Sequence, residues 1–298
     1  MERESIEYDV VVVGGGPAGL ASACKLKQLN ANLSVCLLEK GSEIGSHIIS
    51  GAVFEPEALY SLFPEQANDC PTLNTPVRGD EVYILTSDKK SIKMPSWIIP
   101  RSLHNKGNYL ISLGELCQWM AEKAMDLGVD IFPGFPAQKY LQDENGQVCG
   151  VTTGDMGVNK QGEQKATWAP GMDIFAKQTI FAEGSRGHLG KQIIKQFNLD
   201  EGKSPQHFGI GFKEIWEIES DKHCPGNVVH TAGWPLNKGT SGGGFLYHFE
   251  NNRIAVGLIV DLNYSNPYLS PFQEFQQYKQ HPVIKQFLEN GKRISYGA

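Results

Sequence analysis

YDVVVVGGGPAGLASACKLKQL, residues 8–29, decides how the first part of the chain folds. The β-branched run at 8–13 reads as a strand buried on both faces. A glycine-rich turn follows at once, after which Leu20, Ala23, Leu26 and Leu29 recur at helical spacing. LSVCLLEK (33–40) predicts a second buried strand and completes a βαβ unit. Gly14, Gly16 and Gly19 spell G-x-G-x-x-G, and Glu39 lies twenty residues beyond Gly19.

Each position has a task in binding a dinucleotide. Gly14 permits the tight turn, Gly16 lets the backbone approach a pyrophosphate, and Gly19 lets helix and strand pack closely. The helix start at Pro17 and Ala18 offers free N–H groups and a positive dipole end to phosphates. Pro17 lacks only an N–H that has no helical partner there. The Glu39 carboxylate suits a ribose 2′-hydroxyl and repels a 2′-phosphate, which disfavours NADP. The motif by itself does not separate FAD from NAD. Two further stretches favour FAD: the glycine/serine-rich GSHIISGAVFEP (45–56), and AKQTIFAEGSRG (176–187), a strand running into Glu183-Gly184. That pair resembles a second dinucleotide contact of flavin hydroxylase-like folds, and it also suits a plain turn.

The chain has 298 residues, enough for two domains or one large one, with ordinary globular composition: 40% hydrophobic and 20% charged. A net charge of −6 gives no reason to expect nucleic acid. The six cysteines contain no C-x-x-C pair, so a locally built zinc or iron–sulfur site is unsupported. MERESIEYDV resembles neither a secretory signal nor a transit peptide. No apolar run approaches the roughly 20 residues needed to span a bilayer. The expectation is a protein of a reducing compartment that does not cross a membrane.

Further on, residues 107–134 contain an amphipathic helix with Leu113, Leu116, Met120 and Ala124 on one face, ended by Gly128. VDIFPG returns as a strand, and 135–153 reads as a hairpin turning at Asn145-Gly146. Residues 76–105 and 205–262 are strand-rich and predict an antiparallel sheet of a second domain. Ser270 opens a helix that Pro282 interrupts. No nucleophile–base constellation stands out. His47, His188, His230 and His248 fit structural roles better than catalytic ones, so no catalytic residue is assigned. That silence suits a protein whose cofactor carries the chemistry.

VVVGGGPAGLASACKLKQL, VCLLEKGSEIGSHIISGAVFEPEAL, LNTPV, FAEGSRGHL, HTAGWPL, GGGFLYH and NPYLSPFQEFQQYKQHP together resemble the electron-transfer-flavoprotein:ubiquinone oxidoreductases. The resemblance covers nearly the whole chain and implies an α/β fold. A Rossmann-like FAD-binding domain of the flavin hydroxylase/geranylgeranyl reductase type (1–75 and 106–204) would carry an inserted, strand-rich α+β quinone-binding domain (76–105 and 205–298). It implies FAD held by Gly14, Gly16, Pro17, Ala18, Gly19 and Glu39, with Glu183 and Gly184, and quinone held at a turn by Gly242 and Gly243. It further implies a [4Fe–4S] cluster in the full-length family, and electron flow from reduced electron transfer flavoprotein to ubiquinone. The segment from 45 to about 66 would meet the face of a bacterial inner membrane on its cytoplasmic side, or of the mitochondrial inner membrane.

In PEALYSLFP (56–64), Leu59, Leu62 and Phe63 form a short apolar face that suits either the membrane interface or the protein core. The resemblance favours the membrane. The family's cluster ligands and final flavin contact have no counterpart, so the chain is expected to be the N-terminal part of a longer enzyme. Two alternatives remain open: an NAD(P)H-dependent flavin monooxygenase or geranylgeranyl reductase-like enzyme, and a non-catalytic FAD- or membrane-binding fragment. GTSGGGFLYHF (239–249) is not followed by a helix, unlike the first glycine turn. It suits an uncharged quinone, with backbone approach at Gly242 and Gly243 and an apolar wall from Phe245 and Tyr247.

Overall fold

The computed structural model describes residues 3–49, 51–237 and 239–298. The chain forms two compact units, one from Met1–Ile48 with Gly114–Ser204, the other from Ile49–Leu113 with Pro205–Ala298. In the first unit, β1 (Ser5–Val13), α1 (Pro17–Leu29) and β2 (Val35–Glu39) come first. The chain then contributes β3 (Ala52–Phe54), α2 (Glu57–Leu62), β4 (Gly79–Leu85), β5 (Ser91–Lys93) and β6 (Tyr109–Ile111) to the second. It returns through α3 (Leu113–Asp126), β7 (Val129–Pro133), β8 (Ala137–Gln142) and β9 (Val148–Thr153). A short pair, β10 (Met156–Val158) and β11 (Gln164–Ala169), precedes β12 (Asp173–Phe181) and α4 (His188–Gln196). The second unit resumes with β13 (Gly209–Glu217), β14 (Asn227–Gly233), β15 (Gly242–Phe249) and β16 (Arg253–Asp261). It ends with α5 (Pro271–Tyr278), α6 (Pro282–Leu288) and β17 (Lys292–Gly297).

The first unit is built on a six-stranded sheet in the order β7-β2-β1-β12-β9-β8. β7, β2, β1 and β12 run parallel, and β9 and β8 are antiparallel additions. Val11 and Val12 are fully buried, as a strand covered on both faces requires. α1 buries Gly19, Leu20, Ala23 and Cys24, whereas Leu29 is 73% exposed. Lys27 is buried instead, its Nζ donating to the carbonyls of Ala31 and Leu33 at 2.7 and 2.9 Å, which ties the end of α1 to the turn before β2. α3 buries Leu116, Met120 and Ala124 of the face read from the sequence and leaves Leu113 half-buried at its start, and Gly128 follows it at φ +86°.

The second unit is a seven-stranded sheet in the order β17-β13-β16-β15-β14-β4-β5. The expected all-antiparallel sheet is corrected to a mixed one, because β14 runs parallel to β4. No hairpin joins those two strands, since the chain passes through the first unit between them, so no short turn dictates their direction. α5 and α6 cover one face, where Leu246, Ile254, Val256, Leu258, Phe275, Tyr278 and Ile284 form a core. Each large side chain fully buried there contributes roughly 1.5–3 kcal/mol. Ser270 Oγ accepts from the Gln273 N–H and starts α5, and Pro282 opens α6 as a separate helix. The buried Glu214 carboxylate binds Lys279 at 2.9 Å and Arg293 at 3.0 Å, which links β13, α5 and β17.

The compact units differ from the expected domain limits in one respect: residues 49–75 and 106–113 lie in the second unit. β3 pairs with β6, and Ile49, Val53 and Leu110 pack with Val228, Phe245 and Ala255 on the sheet face opposite the helices.

Candidate functional site

The first unit presents a cradle at the end of β1. Gly14 adopts φ +112°, and its N–H donates to the Leu38 carbonyl at 2.8 Å, so the turn leaves the strand sharply. A Cβ on Gly14 would collide with the Ala182 carbonyl, and one on Gly19 with the Gly14 carbonyl. Those two glycines are therefore demanded by close backbone packing. Gly16 is different: a Cβ there would meet no atom within 4 Å. Gly16 is also the N-cap of α1 and provides no side-chain cap, while Pro17 and Ala18 are exposed. The first turn of α1 therefore presents uncapped donors beside open space, which is the geometry an anionic pyrophosphate fits.

The Glu39 carboxylate stands at the end of β2. One oxygen accepts the Gly15 N–H at 2.9 Å and the other the Gly41 N–H at 2.6 Å. His47 lies 4.0 Å away and is more than half exposed. The turn and the acidic residue are thus brought together, as their spacing predicts. Glu183 and Gly184 also lie beside this turn: the Ala182 N–H donates to Val13, and the Glu183 amide nitrogen lies 3.3 Å from where a Gly14 Cβ would sit. Both Glu183 carboxylate oxygens, however, accept from the start of α4, at Leu189 (3.2 Å) and Gly190 (2.7 Å). Gly184 adopts φ +83° with open space around it.

The second glycine cluster is not a turn. Gly242, Gly243 and Gly244 open β15 inside the sheet, paired with Val260, Ile259 and Leu258 of β16. Before β15, the Thr240 N–H donates to the Asn237 carbonyl. A Cβ at Gly244 would collide with the Tyr278 ring, one at Gly242 with the Ile259 carbonyl, and one at Gly243 would lie 2.7 Å from the Thr231 carbonyl. Gly243, Phe245 and Tyr247 share the face away from the helices, and the two rings stack at 4.7 Å.

On that face the structure assembles a polar group that the sequence reading missed. Tyr247 Oη lies 2.9 Å from His230 Nε2, and His230 Nδ1 is buried without a partner. Burial pushes the Tyr247 hydroxyl up to about 12, and the Asp80 charge adds to it. Burial lowers His230, against an opposing effect of Asp80. Lys213 Nζ sits 5.3 Å from the Phe245 ring centre and donates to the Gly51 carbonyl at 3.0 Å; burial lowers its pKa. The available signal was Lys213 alternating with Gly211 and Ile215 on one strand face. His248 serves the core instead: it is fully buried, and its Nδ1 accepts the Cys224 N–H. His188 is exposed at the start of α4.

In the segment 45–66, Ser50 lies outside the described residues. Leu59 and Phe63 are only 4% and 3% exposed and Leu62 is half-buried, so most of the α2 apolar face is covered by protein. Tyr60 of α2 is 37% exposed, and elsewhere in the second unit Ile92, Trp97 and Ile98 are more so, at 58%, 83% and 45%. Among the described residues no group of three or more His, Cys, Asp or Glu is placed to hold a metal.

Fold and cradle define a Rossmann-like dinucleotide-binding protein, and residues 12–64 match the family described as NAD(P)-binding Rossmann-like domain. Residues 208–298, which contain the glycine run, Lys213 and the His230–Tyr247 pair, match the family described as ETF-QO, ubiquinone-binding. The whole chain is 59% identical to the electron transfer flavoprotein-ubiquinone oxidoreductase of Pseudomonas aeruginosa and covers 55% of it. It is 49% identical to the mitochondrial protein of that name from Bos taurus and covers 49% of it. The chain thus spans about half the length of the curated relatives it matches. Over the portion it spans, the chain is similar throughout to the electron transfer flavoprotein-ubiquinone oxidoreductases. Among solved structures, a geranylgeranyl bacteriochlorophyll reductase-like protein from Thermoplasma acidophilum superposes with a TM-score of 0.68 at 19% identity, over 98% of this chain and 65% of that one. The flavin-dependent brominase Bmp2 gives 0.63 at 15%, over 97% and 66%. These two likenesses establish the fold alone.

Proposed function

We propose that this chain is the FAD- and quinone-binding portion of an enzyme that passes electrons from reduced electron transfer flavoprotein to ubiquinone at a membrane surface. The observation that carries the reading is that one chain holds both a Rossmann cradle and a domain of the ubiquinone-binding family. FAD fits the cradle. Gly14, Gly16, Pro17, Ala18 and Gly19 would receive the pyrophosphate, Glu39 a ribose hydroxyl, and the backbone at Glu183 and Gly184 lies alongside. Bound flavin supplies the electron-accepting and electron-donating chemistry. The protein's part is to bind it, orient it and limit water around it. Gly242 and Gly243 would form part of the quinone-binding face.

The residues present do not fit a [4Fe–4S] cluster: Cys24, Cys36 and Cys117 are buried within the first unit, with thiols pushed to about 11, 12 and 12 chiefly by burial. For the membrane, no helix among the described residues is long and apolar enough to cross it. Surface contact is better supported by residues 92–101 than by 56–63. Ile92, Trp97 and Ile98 stand out from the second unit beside Lys89, Lys90 and Arg101, a combination suited to an anionic interface. A bacterial inner membrane is the setting this reading favours.

The test uses the full-length enzyme under anaerobic conditions. Its flavin absorbance should bleach on adding reduced electron transfer flavoprotein and return on adding a short-chain ubiquinone. Rapid bleaching by NADPH, with none by the flavoprotein, would replace this reading with a monooxygenase-like one.

A further inference from the structure

Four strands of the second unit each set one residue in a continuous row: Lys213 pairs with Gly257, Gly257 with Phe245, and Phe245 with His230. Residues paired directly across strands share a face and touch. Gly257 makes the row possible, because a Cβ there would collide with the Phe245 ring. With the ring laid across Gly257, the Lys213 ammonium comes to 5.3 Å from its centre. At the other end, Tyr247 stacks on Phe245 and meets His230 at 2.9 Å.

Lys213 has three donors, and among the described residues its one hydrogen bond is to the Gly51 carbonyl. Among the described residues no carboxylate pairs with it, and burial is the sole cause acting on its pKa. A partly desolvated ammonium without a counter-charge carries a cost in a fold. In the same row, His230 Nδ1 is buried without a hydrogen-bond partner. Beside the row, Gly211, Ile259 and Gly243 form a low, open patch, with Ile259 48% exposed. The face therefore combines an exposed patch poor in side chains, an aromatic wall, a cation and one polar atom without a partner.

We propose that this row recognises the oxygens of the quinone ring, with Lys213 donating to one oxygen and offsetting the negative charge that reduction places on it. The proposal rests on the reading above that the second unit binds quinone. In the reaction the ring gains two electrons, supplied through the bound flavin, and two protons, supplied by water. Two O–H bonds form, and Lys213 keeps its own proton. A neutral quinone draws little from an ammonium, so the effect should be greater on kcat than on KM.

The experiment is stopped-flow on the full-length enzyme and its Lys213→Met, Lys213→Gln and Lys213→Arg variants. It measures flavin content, flavin reduction by electron transfer flavoprotein, and flavin reoxidation by short-chain ubiquinone. Lys213→Met should keep content and reduction at wild-type levels and slow reoxidation about 10- to 100-fold. Lys213→Arg should recover most of that loss. Equal reoxidation in Lys213→Met and wild type overturns the proposal. So does a Lys213→Met enzyme that loses flavin or stability while Lys213→Gln, which keeps a donor for Gly51, behaves as wild type throughout. A wild-type enzyme that ubiquinone fails to reoxidise removes the quinone reading itself, an outcome distinct from the other two.

Discussion

Gly14–Gly19 and Gly242–Gly244 look alike as sequence and differ in what they exclude. In the first cluster the middle position of the motif, Gly16, faces empty space at the start of an uncapped helix. In the second, every Cβ would strike the protein itself: the Ile259 carbonyl, the Thr231 carbonyl or the Tyr278 ring. A glycine kept clear for a ligand and a glycine required by a neighbour are different things, and the open volume around each distinguishes them. The triplet in β15 has a sufficient packing explanation, so any quinone contact there is additional to it.

The largest effect expected from this difference is at Gly244. Gly244→Val drives a branched side chain into Tyr278, which is fully buried and hydrogen-bonded to Thr231 Oγ1 at 3.0 Å. The cost should be about 3 kcal/mol or more, read as a fall in the denaturation midpoint. Gly243→Val should also destabilise, because its Cβ sits 2.7 Å from the Thr231 carbonyl. A Gly243→Val enzyme that fails with quinone therefore does not by itself locate the quinone. Gly244→Val of wild-type stability would show that β15 is looser than its packing requires.

Gly16→Ala should do the reverse. The added methyl has room, so stability should change by less than about 0.5 kcal/mol. FAD affinity, measured by flavin release on dilution, should fall at least about tenfold, because the backbone no longer approaches the pyrophosphate. A Gly16→Ala protein that keeps its flavin would break the contrast from the other side.

The two clusters also show which parts of the fold were legible. β1, α1 and β2 could be read from residues 8–40 because their causes are local: buried valines, a tight turn and close helix packing. The placement of the triplet inside a strand could not be read, because its reason lies at Tyr278 and Ile259, on other elements. The Lys213 row needs the register of four strands, and no single stretch contains it. The parallel direction of β4 was hidden because residues of the first unit separate it in sequence from β14. For the apolar face of α2 the pattern allowed both membrane and core, and only the burial of Leu59 and Phe63 decides.

A third consequence concerns the strand that continues from the triplet. His248 is buried in β15, and burial, aided by the nearby His223, lowers its pKa from 6.5 to about 4, against a smaller opposing effect of Glu81. The unfolded chain therefore takes up a proton near pH 6.5 that the folded chain refuses until about pH 4. More protons on the unfolded state mean that stability rises with pH across that window and is lost as pH falls through it. His230 and His281, also lowered by burial, act in the same direction. Denaturation at pH 7 and pH 5 should differ by roughly 1–3 kcal/mol, and His248→Gln should flatten part of that slope. The first unit holds no buried histidine among its described residues, so the loss should appear first in signals from the second.

The smallest expected effect is the most discriminating for the cradle. α1 begins at a bare glycine, whereas α4 begins under the Glu183 carboxylate, which takes the Leu189 and Gly190 N–H groups. One helix start is free to receive an anion and the other already has one. Glu183→Gln keeps an acceptor and removes the charge, so it should cost about 0.5–1 kcal/mol through the lost cap and dipole interaction. Flavin affinity should stay within a factor of about three, because the carboxylate serves α4. If Glu183→Gln instead lowers flavin affinity as far as Gly16→Ala does, then the carboxylate turns from α4 to the cofactor when flavin binds. The second acidic-glycine pair would then be a ligand, as its resemblance implies.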